Sequence, residues 1–342
     1  KRIASLDGLR AISIGLVLFG HLSGTQNFPF SKHIGDFFAL AEVGVIVFFV
    51  ISGYLITTLL LRELMAVGNI NLVRFYFRRT LRIFPPYYTL ILVVLILRWL
   101  QIVTISDYDI FHAITYTTNY FSPQGWYLGH TWSLSVEEQF YLLWPATLWL
   151  LGKKRAGIIA LILLVVCPFV RTLSLFAWFQ HSDASAWVRG TDSLACGCVL
   201  ALWRDRLHAQ AGYLEILRSK YFVILPILVF LMSGFHRSSK IYFTVGLTFI
   251  NLGIAVCVDW CMTWPQSKMG TWLNACVIVF IGVMSYSLYL WQQLFLNRAS
   301  NAIFTSFPLN LGLAFIAAIS SYYLIESPAL RWRQRWEQRL FG

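Results

Sequence analysis

Apolar runs long enough to cross a bilayer recur along almost the whole chain, near residues 3–22, 38–61, 83–100, 132–151, 156–178, 190–203, 221–235, 241–259, 273–297 and 309–325. A helix of about 20 such residues spans the ~30 Å hydrocarbon layer. The pattern predicts an all-α, polytopic membrane bundle of about ten transmembrane helices. The run at 190–203 is short for the task. The interruptions are as informative as the runs. Asp7, Arg10 and His21 punctuate the first one, LDGLRAISIGLVLFGHL, and ionisable residues at such depth mark functional sites by default. Arg10 and His21 are eleven residues apart, close to three turns, so they share a helix face roughly 16 Å apart along the axis. One helix thus offers a cation near one membrane surface and a titratable imidazole deeper in. The plainer reading is a histidine satisfied by a neighbouring backbone group and an arginine snorkelling to the surface.

Composition agrees with the pattern: hydrophobic residues make up 58% of the chain, charged residues 12%, and the mean hydropathy is +0.65. Lys and Arg are retained on the cytoplasmic side of membrane proteins. With the N-terminus inside, seven of the 27 basic residues (Lys32, Arg98, Arg171, Arg189, Arg237, Lys240 and Arg298) fall in outer loops or outer halves of spans, and 20 lie inside. Both termini are therefore expected in the cytoplasm. The net charge of +12 reads as topology and contact with anionic membrane lipids, and nucleic acid is not an expected partner. The first run carries charge and no small-residue cleavage pattern follows it, so it is expected to remain a span and not a cleaved leader. The six cysteines lie in or beside spans, which suits small residues packing helices better than a disulfide framework or a metal site. No metal is expected. Residues 1–342 read as a single integral-membrane domain.

Three constellations carry candidate chemistry. The first is the helix of Asp7, Arg10 and His21. The second is Arg74, Arg78, Arg79 and Arg82 ahead of Pro85-Pro86, a proline pair expected to break or kink the third span. Guanidinium groups bind phosphates bidentately and stay charged, so this cluster suits a pyrophosphate or 3′-phosphate clamp; the alternative is a basic anchor for lipid. The third is HTWSLSVEEQFYLLWP, which brings His130, Trp132, Ser133, Glu137, Glu138 and Tyr141 into the fourth span. Ser133, Glu137 and Tyr141 recur at every fourth position, one polar stripe on an apolar helix. A capping box from Ser135 to Glu138 accounts for one carboxylate. The other, Glu137, is then expected to face a cation or an imidazole inside the bundle, because an unsatisfied carboxylate in hydrocarbon is costly.

LDGLRAISIGLVLFGH, GVIVFFVISGYLIT, FYFRRTLRIFPPYY, HTWSLSVEEQFYLLWP, RGTDSLACGCVLA, SYSLYLWQQ and IESPALR resemble, in order, the motifs of the acyltransferase-3 family of integral-membrane O-acyltransferases, from residue 3 to about residue 331. The resemblance implies a multi-pass enzyme of the cell inner (plasma) membrane. Its implied reaction moves an acyl group, commonly acetyl, from cytoplasmic acyl-CoA to a hydroxyl of a sugar or related acceptor. Arg10 and His21 match the family's Arg-x10-His pair, and Arg79 and Arg82 its Arg-x-x-Arg element. Gln292 stands where many relatives carry a histidine. Some relatives also carry a soluble hydrolase-like extension, so this membrane unit is expected to act alone or with partners.

The expected mechanism uses His21 as general base on the acceptor hydroxyl, a task suited to an imidazole. Glu137 orients it or stabilises its protonated form, Arg10 joins it as the other member of the Arg-x10-His pair that the resemblance implies, and Arg74, Arg78, Arg79 and Arg82 hold the acyl-CoA. Asp7, His130, Trp132, Ser133, Glu138 and Tyr141 are expected at the acceptor, a cell-envelope glycan or lipid-linked sugar. A covalent acyl-histidine and a macrolide-like small-molecule acceptor are open alternatives. So are a flippase of lipid-linked sugar and a sensor of pH or lipid state.

Overall fold

A computed structural model describes residues 4–30, 39–121, 124–174, 188, 190–237 and 239–341. Lys32 and Arg189, two of the seven basic residues expected on the outer side, lie outside the described residues. The long helices are α1 (Ala4–Leu22), α2 (Leu40–Val67), α3 (Leu72–Trp99), α4 (Asp107–Ile114), α5 (Thr131–Ser174), α6 (Thr191–His208), α7 (Ala211–Arg218), α8 (Ile224–Ser233), α9 (Leu247–Thr263), α10 (Cys276–Val283), α11 (Ser285–Phe295), α12 (Leu309–Ser321) and α13 (Ser327–Phe341). Single π-helical turns, Tyr242–Gly246 and Tyr322–Glu326, lead into α9 and join α12 to α13. There is no strand among the described residues.

Among the described residues six helices are long and apolar enough to cross a membrane, and two broken pairs raise the number to as many as eight. Two differences between this number and the expected ten have physical causes. The runs at 132–151 and 156–178 are two helices of the bent element α5, joined at a kink where the backbone leaves helical geometry at Gly152 (φ 70°, ψ 171°), where glycine alone carries no Cβ penalty, so both expected runs are present among the described residues. The run at 190–203 is the start of α6, which also holds Asp192, Arg204, Asp205 and Arg206 and so is packed in protein without being apolar enough to face lipid. A third difference concerns α3: it runs unbroken through Pro85-Pro86 and starts at Leu72, eleven residues before the expected span. Asn71 caps it by accepting from the Arg74 amide at 2.9 Å, and the arginine segment is therefore helical.

The chain forms two compact units, residues 1–20, 33–70 and 143–283 in the first, 21–32, 71–142 and 284–342 in the second. In the first, helices approach through small residues, because lipid gives no hydrophobic drive for apolar faces to associate. A Cβ on Gly53 of α2 would lie 2.1 Å from the Leu194 carbonyl oxygen, and one on Gly197 of α6 would lie 2.1 Å from that of Val50. Cys196 and Cys198 are buried in the same contact, and the Cys198 thiol donates to the Gly53 carbonyl at 3.8 Å. Around this seam Leu9, Val43, Ile46, Ile51, Leu200, Ile250, Ile254 and Val258 form an apolar core.

Two buried acids tie the unit together. Asp259 of α9 accepts from Arg204 Nε, and at 2.8 Å from each of His208 Nε2 and the Tyr213 hydroxyl, so α6, α7 and α9 converge on one carboxylate. Arg171 of α5 pairs with Asp192 of α6 and also donates to the Phe243 carbonyl at 3.2 Å and to Thr248 Oγ1 at 3.1 Å. Removing one member of a buried pair strands the other charge, at a cost of about 3–5 kcal/mol. Arg171→Ala is expected to lower unfolding stability by that amount, and Arg171→Met/Asp192→Leu by much less; denaturant unfolding in detergent as a double-mutant cycle measures both.

Candidate active site

The second unit collects most of the residues singled out from the sequence. His21 is the penultimate residue of α1. Its Nδ1 lies 2.8 Å from Oε1 of Gln292, on α11. Gln292 Nε2 donates to Gln293 Oε1 at 3.0 Å, and Gln293 Nε2 donates to the Trp126 carbonyl at 2.8 Å. That last link sets the direction of the whole chain. A backbone carbonyl can only accept, so Gln293 must present its amide nitrogen there and its oxygen to Gln292, which in turn must present its own oxygen to the imidazole. Nδ1 of the neutral ring therefore carries the hydrogen and Nε2 is left as the acceptor. The ring is held from the side by Trp126, edge-on with centroids 5.7 Å apart, while the Trp126 indole donates to the Gln293 carbonyl at 2.7 Å. Arg298 Nε donates to the backbone carbonyl of His21 at 3.4 Å.

The partner at Nδ1 is thus Gln292, in the orienting position that the sequence suggested for Glu137. Glu137 is half-buried, and its charge bears on Glu138, Tyr286 and Tyr289. His130 is buried, and its two ring nitrogens are enclosed without a hydrogen bond of ordinary geometry; the Leu290 backbone is the polar group in reach. Its carbonyl accepts from the Tyr289 hydroxyl at 3.0 Å, and that hydroxyl lies 2.6 Å from Ser133 Oγ. Ser133 is therefore fixed by α11. Trp132 is half-buried beside it on α5.

Ser135 is already inside α5, donating back to the Thr131 carbonyl at 3.0 Å, so the expected capping box is absent and Glu138 needs another explanation. Glu138 Oε1 is buried without a hydrogen-bond partner. The cation in its field is Arg79, whose guanidinium lies over the Tyr141 ring at 4.8 Å and the Phe75 ring at 5.8 Å. The tyrosines Tyr87, Tyr88, Tyr116 and Tyr286 lie within the field of the same carboxylate.

The four arginines do not form one clamp. Arg74, Arg78 and Arg82 follow one another at every turn of α3, while Arg79 points its charge to Tyr141 and Glu138 on α5. Arg74 donates to Glu337 of α13 through Nε at 3.0 Å and a terminal nitrogen at 2.8 Å, and Arg78 pairs with the same oxygen. Arg10 forms an ion pair with Asp7 at 3.4 Å within the first unit, so these two predicted residues stabilise one another. Glu326, at the end of the second π turn, is buried and accepts from Ser287 Oγ at 2.8 Å. Sequence reasoning passed over Gln293, Tyr289, Glu326 and Glu337. The first three lie in recognisable motifs; Glu337 sits in a basic tail that reads as a membrane anchor.

Fold and site define a multi-pass helical membrane protein with a buried polar centre. The chain belongs to the acyltransferase-3 family: the family's acyltransferase domain matches residues 3–326. Among similar proteins are "Putative peptidoglycan O-acetyltransferase YrhL" of Bacillus subtilis, 31% identical over 96% of this chain and 55% of that protein, and "Peptidoglycan O-acetyltransferase OatA" of Listeria monocytogenes, 29% identical over 96% of this chain and 56% of that protein. The chain spans little more than half the length of these relatives. No solved structure matches it.

The orienting chain makes a spectroscopic prediction. With 15N-labelled histidine, the resonances lost in His21→Gln are expected to report a protonated Nδ1 and an unprotonated Nε2 in the neutral ring. In Gln292→Leu, which removes the acceptor, the same ring is expected to become a mixture of tautomers. Wild-type spectra showing hydrogen on Nε2 would refute the assignment.

Proposed function

We propose that this chain transfers an acyl group, acetyl in the first instance, from cytoplasmic acyl-CoA to a hydroxyl of a cell-envelope glycan. The observation that carries the reading is the imidazole of His21, locked through Nδ1 so that Nε2 is the basic atom. The relatives named for peptidoglycan O-acetylation support a wall glycan as acceptor. The basic residues orient the bundle with both termini, and hence the Arg74 end of α3, in the cytoplasm of a plasma-membrane protein. Acyl-CoA is met on that side, and His21 lies towards the opposite end of α1 from Ala4.

In the reaction the acceptor hydroxyl gives its proton to His21 Nε2 as its oxygen attacks the thioester carbonyl. The carbon–sulfur bond breaks, an ester forms, and the departing CoA thiolate takes the proton back from the imidazolium. Gln292 keeps the ring in the tautomer able to accept. Arg79, seated over Tyr141 beside Glu138, and Arg82 supply positive charge on the donor side.

Removing a general base costs about 10²–10⁴ in rate. His21→Ala is therefore expected to lower CoA release from acetyl-CoA in the presence of acceptor by that factor, with donor binding retained; near-wild-type turnover would end the assignment. Arg79→Ala/Arg82→Ala is expected to lose acetyl-CoA binding by the purified protein. Wild-type protein that binds neither acetyl-CoA nor longer acyl-CoAs would remove the donor and with it the transferase reading.

A further inference from the structure

α13 lies beyond the residues matched by the family domain and packs against α3. Their facing sides are charged at matching intervals. α3 presents Arg74, Arg78 and Arg82; α13 presents Glu337 and, one turn earlier, Arg333. Glu337 meets Arg74 and Arg78, and Arg333 lies in the field of Arg82, Arg78 and Glu337, so residue numbers fall along α13 as they rise along α3. On one rung a carboxylate neutralises two guanidinium groups. On the next, two guanidinium groups, Arg82 and Arg333, lie within each other's field.

That second rung lacks an anion. Arg82 makes no hydrogen bond or ion pair among the described residues, and Arg333 Nε is buried without a partner. A buried N–H with nothing to accept it is uncommon in native proteins and costs the desolvation of the group. Like charges in each other's field add Coulombic repulsion. An oxyanion between the two forks would remove both penalties, and tetrahedral phosphate, with several acceptor oxygens, suits two guanidinium groups approaching from different helices. Glu337 shapes the site by occupying Arg74 and Arg78 and by anchoring α13 so that Arg333 is presented.

We propose that Arg82 and Arg333 together hold one phosphate group, with α13 supplying half of the site. Two sources carry that chemistry: a phosphate of CoA, in which case the inference rests on the acyltransferase reading, or the headgroup of an anionic phospholipid, in which case it does not.

The test uses the 342-residue chain in detergent for CoA and dephospho-CoA, which lacks the 3′-phosphate, and in phosphatidylcholine nanodiscs with or without phosphatidylglycerol for lipid. Variants are Arg82→Gln, Arg333→Gln, Arg333→Lys and, as a control on the exposed side of α13, Arg331→Gln. Arg82→Gln and Arg333→Gln are each expected to weaken one of the two ligands about ten- to hundredfold, the scale of a lost charge-assisted hydrogen bond. Arg331→Gln is expected to leave affinity unchanged, and Arg333→Lys, which keeps the charge but not the fork, to fall between. Loss confined to CoA identifies its 3′-phosphate, equal loss on CoA and dephospho-CoA identifies the pyrophosphate, and loss confined to phosphatidylglycerol identifies the lipid. Wild-type protein that ignores CoA but retains phosphatidylglycerol through Arg333 would end the donor reading and leave the phosphate site standing. Unchanged affinity of both glutamine variants for both ligands, or a wild type that binds neither, overturns the proposal.

Discussion

Hydrocarbon offers no hydrogen-bond partner, so each polar group carried into the bilayer must be answered from within the protein. That constraint organises this molecule. The His21 imidazole is answered by Gln292, Gln292 by Gln293, and Gln293 by a backbone carbonyl at Trp126. Because the last acceptor cannot donate, the direction of every bond upstream is set, and with it the ring nitrogen left as an acceptor. Arg171 with Asp192, and Arg204, His208 and Tyr213 with Asp259, obey the same requirement where no chemistry is assigned.

Packing follows from the same solvent. Lipid tails do not drive apolar helices together, so close contact depends on small side chains that let backbones approach. Gly53 and Gly197 leave no room for a Cβ between α2 and α6, and the cysteines beside them serve as small apolar residues. The polar centre of the second unit depends on α11, whose residues reach His21 through Gln292, Ser133 through Tyr289 and Glu326 through Ser287. One short helix thus holds three polar groups from different parts of the chain.

The arginines show how helical phase divides a motif. Arg79 and Arg82 are three residues apart and match one family element, yet Arg79 turns to Tyr141 and Glu138 while Arg82 lies on the face shared with Arg74 and Arg78, towards α13. Continuity of α3 through Pro85-Pro86 makes this possible, since the arginine segment becomes part of a helix with defined faces. The prolines remove the amide donors that would reach the Leu81 and Arg82 carbonyls, and the Tyr286 hydroxyl donates to the adjacent Ile83 carbonyl at 2.9 Å.

By itself the sequence determined the class: apolar runs of membrane length identify a helical membrane protein, and seven motifs in order identify its family. It also located His21, through an ionisable side chain in an apolar run, and marked Gln292 as a departure from a motif. These are local signals, set by composition and by spacing along one helix. It could not show that Gln292 is the partner of His21, 271 residues away, nor that Glu337 takes Arg74 and Arg78, nor that Ser135 bonds back along its own helix and caps nothing. Periodicity assigns a residue to a face, but which face meets it depends on how helices from distant parts of the chain pack. Only the tertiary structure decided that, because a side chain's partner in a dry interior is whatever group packing brings within hydrogen-bond reach.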